Sequence, residues 1–261
     1  MERSHFKKKY TSFSKKEKTP ENSLFGIRPV MEAIQAGREI ERILFKTGLQ
    51  GNLFRELHAL AEEKNIPVQF VPAEKLNRLT QANHQGVVAY VSLIAYADLE
   101  TVIASTFEDG KTPLILLLDG VTDVRNFGAI ARSAECAGVH ALVIPAKGAA
   151  PVNADALKTS AGALNRIPVC RVPNLRTAAY YLKDSGITII AATEKSTKRI
   201  YEYDFTHPAA IIMGAEDSGI SDAALKLSAE QLSIPLQGGI ASLNVSAAAA
   251  VVLFEVVRQR Q

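Results

Sequence analysis

The chain has no tryptophan and only two cysteines in 261 residues. Cys136 and Cys170 stand far apart in apolar surroundings, without the close spacing of a metal site. That pattern argues against a disulfide framework or a zinc ribbon, and for two buried thiols in a reducing compartment, the cytoplasm. No apolar run is long enough to span a membrane; the longest, Val245 to Val257, is broken by Glu255 and ends in Arg258-Gln259-Arg260. The N-terminal segment is charged and lacks an apolar core, so it is not read as a secretory leader. No Gly-x-Gly-x-x-Gly follows an apolar strand, which argues against an ordinary dinucleotide fold. There is no internal repeat.

What is present suits a globular protein with a substantial core: 47% hydrophobic residues against 22% charged. The length is comfortable for two domains. The net charge of +3 is unevenly spread. Arg3, Lys7, Lys8, Lys9, Lys15, Lys16 and Lys18 face only Glu2 and Glu17 in the first 20 residues, so the remainder is net acidic. Residues 1–21, with His5, Phe6, Tyr10 and Phe13 interleaved, are read as a disordered basic tail. It serves either as a phosphate-binding arm or as a solubilising extension.

Residues 22–96 alternate as a small α/β unit. The pattern predicts helices over 24–37, 52–64 and 73–79, and strands over 40–45, 68–71 and 87–93. Residues 97–112 read as a connecting helix and turn. From 113 to 261 the apolar strands lengthen and lose alternation: Leu114–Leu118, Ala141–Ile144, Ile187–Ala191 and Ala209–Met213. Such runs imply a parallel sheet covered on both faces. Helices are predicted over 128–137, 153–163, 175–184 and 221–227, making the overall class α/β, Rossmann-like. The last helix, 245–257, is apolar on nearly every face, with alanines at 247–250. A helix apolar all round is buried all round, and at this position a second copy of the chain is the simplest cover, so a homodimer is expected.

Three constellations carry the chemistry. Asn126-Phe127-Gly128-Ala129-Ile130-Ala131-Arg132 opens a helix, with Gly128 and Ala129 keeping its entry slim. Gly214-Ala215-Glu216-Asp217-Ser218-Gly219 follows an apolar strand directly, at the edge where open α/β sheets bind ligands. Ile234-Pro235-Leu236-Gln237-Gly238 runs on to Ser242-Leu243-Asn244-Val245-Ser246, where Ser242 reads as the cap of the last helix. Ile234 and Leu236 are available to wall a flat apolar ring. Thr193-Glu194-Lys195 follows another strand at the same edge, making Thr193 a candidate ligand contact.

In order and spacing these three constellations resemble the motifs of the SpoU (TrmH-type) RNA ribose methyltransferases. The resemblance covers roughly Leu114 to the C-terminus. It implies an α/β-knot (SPOUT) domain in which the C-terminal segment threads a loop as a trefoil knot. It also implies S-adenosylmethionine as cofactor, transfer of its methyl group to a ribose 2′-hydroxyl of RNA, and no metal. Asn126, Arg132, Glu216, Ser242 and Asn244 would form the reactive centre, some supplied across a dimer. Thr193, Gly214, Ile234, Leu236, Gly238 and Leu243 would contact the cofactor.

In that family the matching arginine is the assigned base toward the hydroxyl. A guanidinium barely deprotonates, so holding the target phosphate and lowering the hydroxyl's pKa is the less demanding role for Arg132. Glu216 would receive a proton, hydrogen-bond the cofactor or brace Arg132, the last two being favoured. Asp217 replaces a usual family glycine, and Leu236 a frequent methionine.

The first unit resembles the small RNA-binding domain of the rRNA-directed members through Leu24-Phe25-Gly26-Ile27-Arg28-Pro29-Val30 and His84-Gln85-Gly86-Val87-Val88-Ala89. Arg28, His84 and Gln85 are its candidate RNA contacts, although a turn packed by His84 reads equally well. The substrate implied is a guanosine of large-subunit (23S) rRNA. A tRNA ribose methyltransferase is the runner-up within the class, and a non-catalytic RNA-binding or ribosome-assembly protein the rival outside it.

Overall fold

The computed structural model describes residues 22–261; the basic segment 1–21 lies outside the described residues. The first unit holds β1 (Ser23–Phe25), α1 (Ile27–Gln35), β2 (Ile40–Lys46), α2 (Asn52–Glu63), β3 (Val68–Val71), α3 (Ala73–Leu79) and β4 (Val87–Val91). Its sheet runs β1-β4-β2-β3, with only β2 and β3 parallel. The helix predicted from residue 24 begins at Ile27 instead. Leu24 and Phe25 pair with Ala89 and Val88 of β4, so sheet completion overrides local helix propensity.

Next come α4 (Leu99–Glu108), β5 (Leu114–Asp119), α5 (Val124–Cys136), β6 (Ala141–Pro145), α6 (Ala154–Thr159), β7 (Val169–Val172) and α7 (Leu175–Asp184). The chain closes with β8 (Thr188–Ala192), β9 (Ala209–Gly214), α8 (Asp222–Leu225), β10 (Glu230–Leu232) and α9 (Val245–Arg260). The second sheet is wholly parallel, in the order β10-β8-β9-β5-β6-β7.

Alternate residues of each strand feed two separate cores. Leu114, Leu116, Leu118, Ile211 and Met213 meet α5 and α9. Ile115, Leu117, Ala210 and Ile212 meet α4 and α7 on the other face. Burial on both faces is why these strands read as continuous apolar runs. Strands β7 and β10 were not among those expected. Both are edge strands of three or four residues, and Glu230-Gln231-Leu232 is recognisable only by its pairing with β8. Cys170 is buried, which pushes its thiol up to about 12. Cys136 was expected to be buried but is exposed, at the solvent side of the last turn of α5.

In the single chain α9 is not buried all round. Val245, Ala249, Val252, Leu253 and Val256 are buried against the α5 face, while Phe254 remains 49% exposed on the other. The helix's end is fastened by backbone oxygens. Arg260 donates to the carbonyls of Phe205 (2.9 Å), His207 (2.7 Å), Thr112 (2.9 Å) and Pro113 (3.2 Å). The side chain of Gln259 donates to the Tyr203 carbonyl and accepts from the Phe205 amide.

The two units touch through a compact polar joint. Tyr96 donates its hydroxyl proton to Glu41, and the other Glu41 oxygen accepts from the Val152 amide. Arg171 of β7 donates to the Ile40 carbonyl and lies 4.2 Å over the Tyr96 ring. Burial, and then the Glu41 charge, push the Tyr96 hydroxyl far above the ordinary tyrosine range.

Arg260→Ala is expected to destabilise the protein by about 3 kcal/mol, because several half-buried carbonyls lose a charged donor together. A urea titration checks it through a lower midpoint at unchanged slope.

Candidate functional site

Every parallel strand of the large sheet points its C-terminal end at one edge, and the three constellations converge there. Asp123 caps α5 by accepting from the amides of Arg125 (2.9 Å) and Asn126 (2.8 Å), which starts that helix earlier than predicted. The Asn126 side chain is thereby set at the edge, beside the end of β9.

Gly214 ends β9 in a place no side chain fits. A Cβ there would stand 2.2 Å from the Gly219 carbonyl carbon and 2.3 Å from the Ile220 nitrogen. The chain leaves Gly214, loops through 215–219 and returns against its own strand end. The Ala215 and Gly219 backbones exchange hydrogen bonds of 3.0 and 2.9 Å across the neck. Asp119, ending β5, steadies the exit by accepting from the Ser221 amide at 2.8 Å.

The loop projects Glu216 between two asparagines. Asn126 donates to one of its oxygens at 3.0 Å, and Asn244 to the other at 3.2 Å. The same Asn244 amide donates to the Asn126 oxygen at 3.1 Å, closing a triangle. The Asn244 oxygen meanwhile accepts from the Ser246 amide and hydroxyl, capping α9. Two expectations are corrected here. The cap of α9 is Asn244 rather than Ser242, because the helix begins at Val245. Glu216 engages the two asparagines rather than Arg132.

Arg132 does not join the triangle. Six residues along a helix turn it about 120° from Asn126, and its side chain is exposed. Among the described residues it has no ion-pair or hydrogen-bond partner, and it stands outside the cavity linings described next.

Next to the triangle lies a cavity of about 320 Å³ whose floor is Met213 and Gly214 and whose rim is Glu194, Ser242 and Leu243. A narrower hollow of about 80 Å³ opens from it, lined by Thr193, Leu232, Ile234 and Leu236 among others. The structure therefore brings together Thr193, Gly214, Ile234, Leu236, Ser242 and Leu243. Gly238 stands outside these linings, exposed in the segment before α9. Met213, Ala192, Leu232 and Ala248 line the cavities and were missed. They read as ordinary core residues, and only the strand ends reveal them. Beside its apolar wall and loop backbone the cavity is lined by Glu194, Lys195, Glu216 and Asp217, a mixture that suits a flat ring carried with a polar, charged tail.

Arg28, His84 and Gln85 sit in the small unit, apart from this edge. Arg28 is exposed. Both ring nitrogens of His84 are engaged inside the turn: Nδ1 accepts from the Gly86 amide and Nε2 meets the Asn77 side-chain oxygen at 2.8 Å. Gln85 accepts from the Ile27 amide at 3.4 Å.

With that geometry described, the comparisons with known proteins decide the family. Residues 113–254 match the model of the SpoU rRNA Methylase family. The chain belongs to that family. Residues 23–97 match the model for RNA 2′-O ribose methyltransferase substrate binding. The chain is 35% identical over 243 residues to the 23S rRNA (guanosine-2′-O-)-methyltransferase RlmB of Vibrio parahaemolyticus, covering 91% of this chain and 96% of that one. It is 34% identical over 237 residues to a Staphylococcus saprophyticus protein assigned to the TrmH family of tRNA/rRNA methyltransferases, covering 91% and 95%. Among solved structures, the SpoU methyltransferase AviRb from Streptomyces viridochromogenes, in complex with the cofactor AdoMet, superposes with a TM-score of 0.58 at 27% identity. That match covers 91% of this chain and 90% of AviRb.

Within this SpoU methylase site, Gly214→Ala is expected to cost about 3 kcal/mol or more, since backbone must move to admit the methyl group. Hydrogen exchange checks it: the Ala215 and Gly219 amides should lose protection while those of β5 and β6 keep theirs. Asn244→Asp retains the cap oxygen but sets a carboxylate against Glu216. Its thermal midpoint should fall at neutral pH and recover as the pH drops through the carboxylate range.

Proposed function

We propose that this protein transfers a methyl group from S-adenosylmethionine to a ribose 2′-hydroxyl of RNA, with a guanosine of 23S rRNA as the target. The observation that carries the reading is the closed Asn126–Glu216–Asn244 triangle beside a cavity that joins an apolar wall to a loop carrying Asp217 and a rim with Glu194 and Lys195. A protein that only binds RNA has no need of three distant segments locked at one strand end.

The residues present fit the cofactor: Ile234, Leu236 and Leu243 suit an adenine face, and the 215–219 backbone suits its polar groups. When bound, S-adenosylmethionine supplies an electrophilic methyl carbon attached to a sulfonium. The chain's own work is alignment and exclusion of water. The triangle keeps the cavity mouth in one shape. Arg132, free and cationic, grips the target phosphate and eases loss of the hydroxyl proton by its field; Ser242 stands at the mouth to orient the ribose. Glu216, with both oxygens already held by amides, acts as a brace.

The choice of rRNA and guanosine is supported by the likeness to RlmB and by the match of residues 23–97 to a substrate-binding model. A tRNA substrate is the second reading, favoured by the TrmH-type relative. The α/β-knot belongs to the same proposal. Its support is that the chain leaves β10 at one edge of the sheet yet packs α9 against α5, passing the 215–219 loop on the way. Cytoplasmic action follows from an RNA substrate. Among the described residues no helix is long and apolar enough to cross a membrane.

Purified protein incubated with tritiated S-adenosylmethionine and separate rRNA and tRNA pools should label a 2′-O-methylguanosine in rRNA. Label in tRNA alone would replace the substrate, and no label in any pool, undermodified rRNA included, would remove the activity. Arg132→Ala should lose methyl transfer by a hundredfold or more, by the scale of a lost charge-stabilising group. Calorimetry should show its cofactor affinity unchanged. The uncovered face of α9, centred on Phe254, is proposed as the homodimer contact. Phe254→Glu should therefore convert a dimer to a monomer in light scattering.

A further inference from the structure

A second cleft opens between the two units, away from the triangle. One wall is α2 and the edge strand β3, through His58, Asn65 and Phe70; the other is Ala146 and Lys147 after β6 and Pro173 after β7. This hollow of about 390 Å³ shares Val68, Ala146 and Lys147 with another of about 250 Å³ that reaches Arg42 and Arg171.

Its most unusual feature is Phe70, an apolar ring left 51% exposed. The ring is backed by Phe45, Phe54 and His58, with centroids at 5.8, 6.4 and 6.1 Å. A ring fixed from behind and open in front is a stacking platform, and every nucleic-acid base has a face to stack.

Both signs of charge line it, with Glu62 an exposed carboxylate on the α2 wall. Both Glu41 oxygens are occupied by Tyr96 and Val152, and Glu62 faces His58 at 3.6 Å. Lys147 is exposed and in no ion pair among the described residues. Arg42 lies 4.6 Å over the Tyr90 ring, and its Nε is buried with no hydrogen-bond partner. A buried donor without an acceptor is costly unless a ligand supplies one. A protein strand docked on β3 would ask for apolar neighbours, whereas His58, Asn65 and Lys147 surround the ring.

The cleft also leads to the reactive edge. The loop after β6 is tied to the loop after β5 by the Ala150 amide donating to the Val121 carbonyl at 2.9 Å, just before the Asp123 cap and Asn126. It lies on the β3 edge of the small sheet, opposite the β1 side that carries Arg28 and Gln85.

We propose that this cleft holds a single-stranded stretch of substrate RNA flanking the methylated residue, with one base stacked on Phe70 and its phosphates drawn by Lys147 and Arg42. The proposal rests on the RNA-methyltransferase reading and adds to it a path across the joint between the units.

The test uses the full chain and fluorescein-labelled single-stranded oligouridine in an anisotropy titration. Phe70→Ala should bind about tenfold more weakly and Phe70→Tyr like wild type. Lys147→Ala should lower the slope of log affinity against log salt by about one. Calorimetric cofactor affinity and the thermal midpoint are read beside them, to separate lost stacking from lost folding. Unchanged affinity and slope in both variants would overturn the cleft. So would intact oligouridine binding with lost binding to a purified ribosomal protein, which would assign the surface to protein. Failure of the wild-type protein to methylate any RNA would fall on the parent reading, and the oligouridine titration would still decide the cleft.

Discussion

Glu216 accepts from two amides that reach it from 90 residues earlier and 28 residues later. Neither asparagine could hold a carboxylate at an exposed edge alone, since water competes for each bond. Three mutually bonded groups, each on a backbone already restrained by a cap or a strand end, lose little further freedom on closing. The closure ties together the start of α9, the first turn of α5 and the 215–219 loop. It also leaves the Glu216 carboxylate engaged on both oxygens, while Arg132 has no ion-pair or hydrogen-bond partner among the described residues.

The cavity beside it combines an apolar wall with loop backbone and the side chains of Glu194, Lys195 and Asp217. The ends of β8 and β9 supply its floor, the segment after β10 one side and the approach to α9 the other. A parallel sheet leaves its strand ends free where helices must depart, and that geometry makes the edge a binding place. The helix N-termini there are less open than their position suggests. Asp123 and Asn244 take up amides of the first turns of α5 and α9.

The small unit is joined to the large one by few groups with high interaction strength. A carboxylate accepting from a phenol and an amide, with an arginine stacked on that phenol, resists sliding in a way apolar contact does not. Such a joint orients the small sheet toward the loops after β6 and β7. The platform at Phe70 and the free Lys147 then face one another across a gap that neither unit has alone.

Much of this was legible in the sequence. The unbroken apolar runs identified the parallel sheet, because burial on both faces leaves no polar residue from Leu114 to Leu118 of β5 or in β9. The small residue Gly128 marked a close approach, since a Cβ there would stand 2.8 Å from the Ala156 carbonyl oxygen; at Gly214 the chain's own returning backbone fills that space, which the sequence did not indicate. Asn126, Glu216 and Asn244 were candidates by motif, but their mutual bonds were not readable, since each pair is separated by whole strands and helices. Local signals misled where tertiary pairing won: Leu24 and Phe25 join a sheet, Glu230-Gln231-Leu232 completes another, and Asn244 displaces Ser242 as the cap. Residue types and their order along the chain are local facts, so the sequence by itself determined the two-unit α/β plan and the chemical cast of the edge. Which polar groups spend their hydrogen bonds on each other and which stay free depends on long-range packing, and only the tertiary structure decided that.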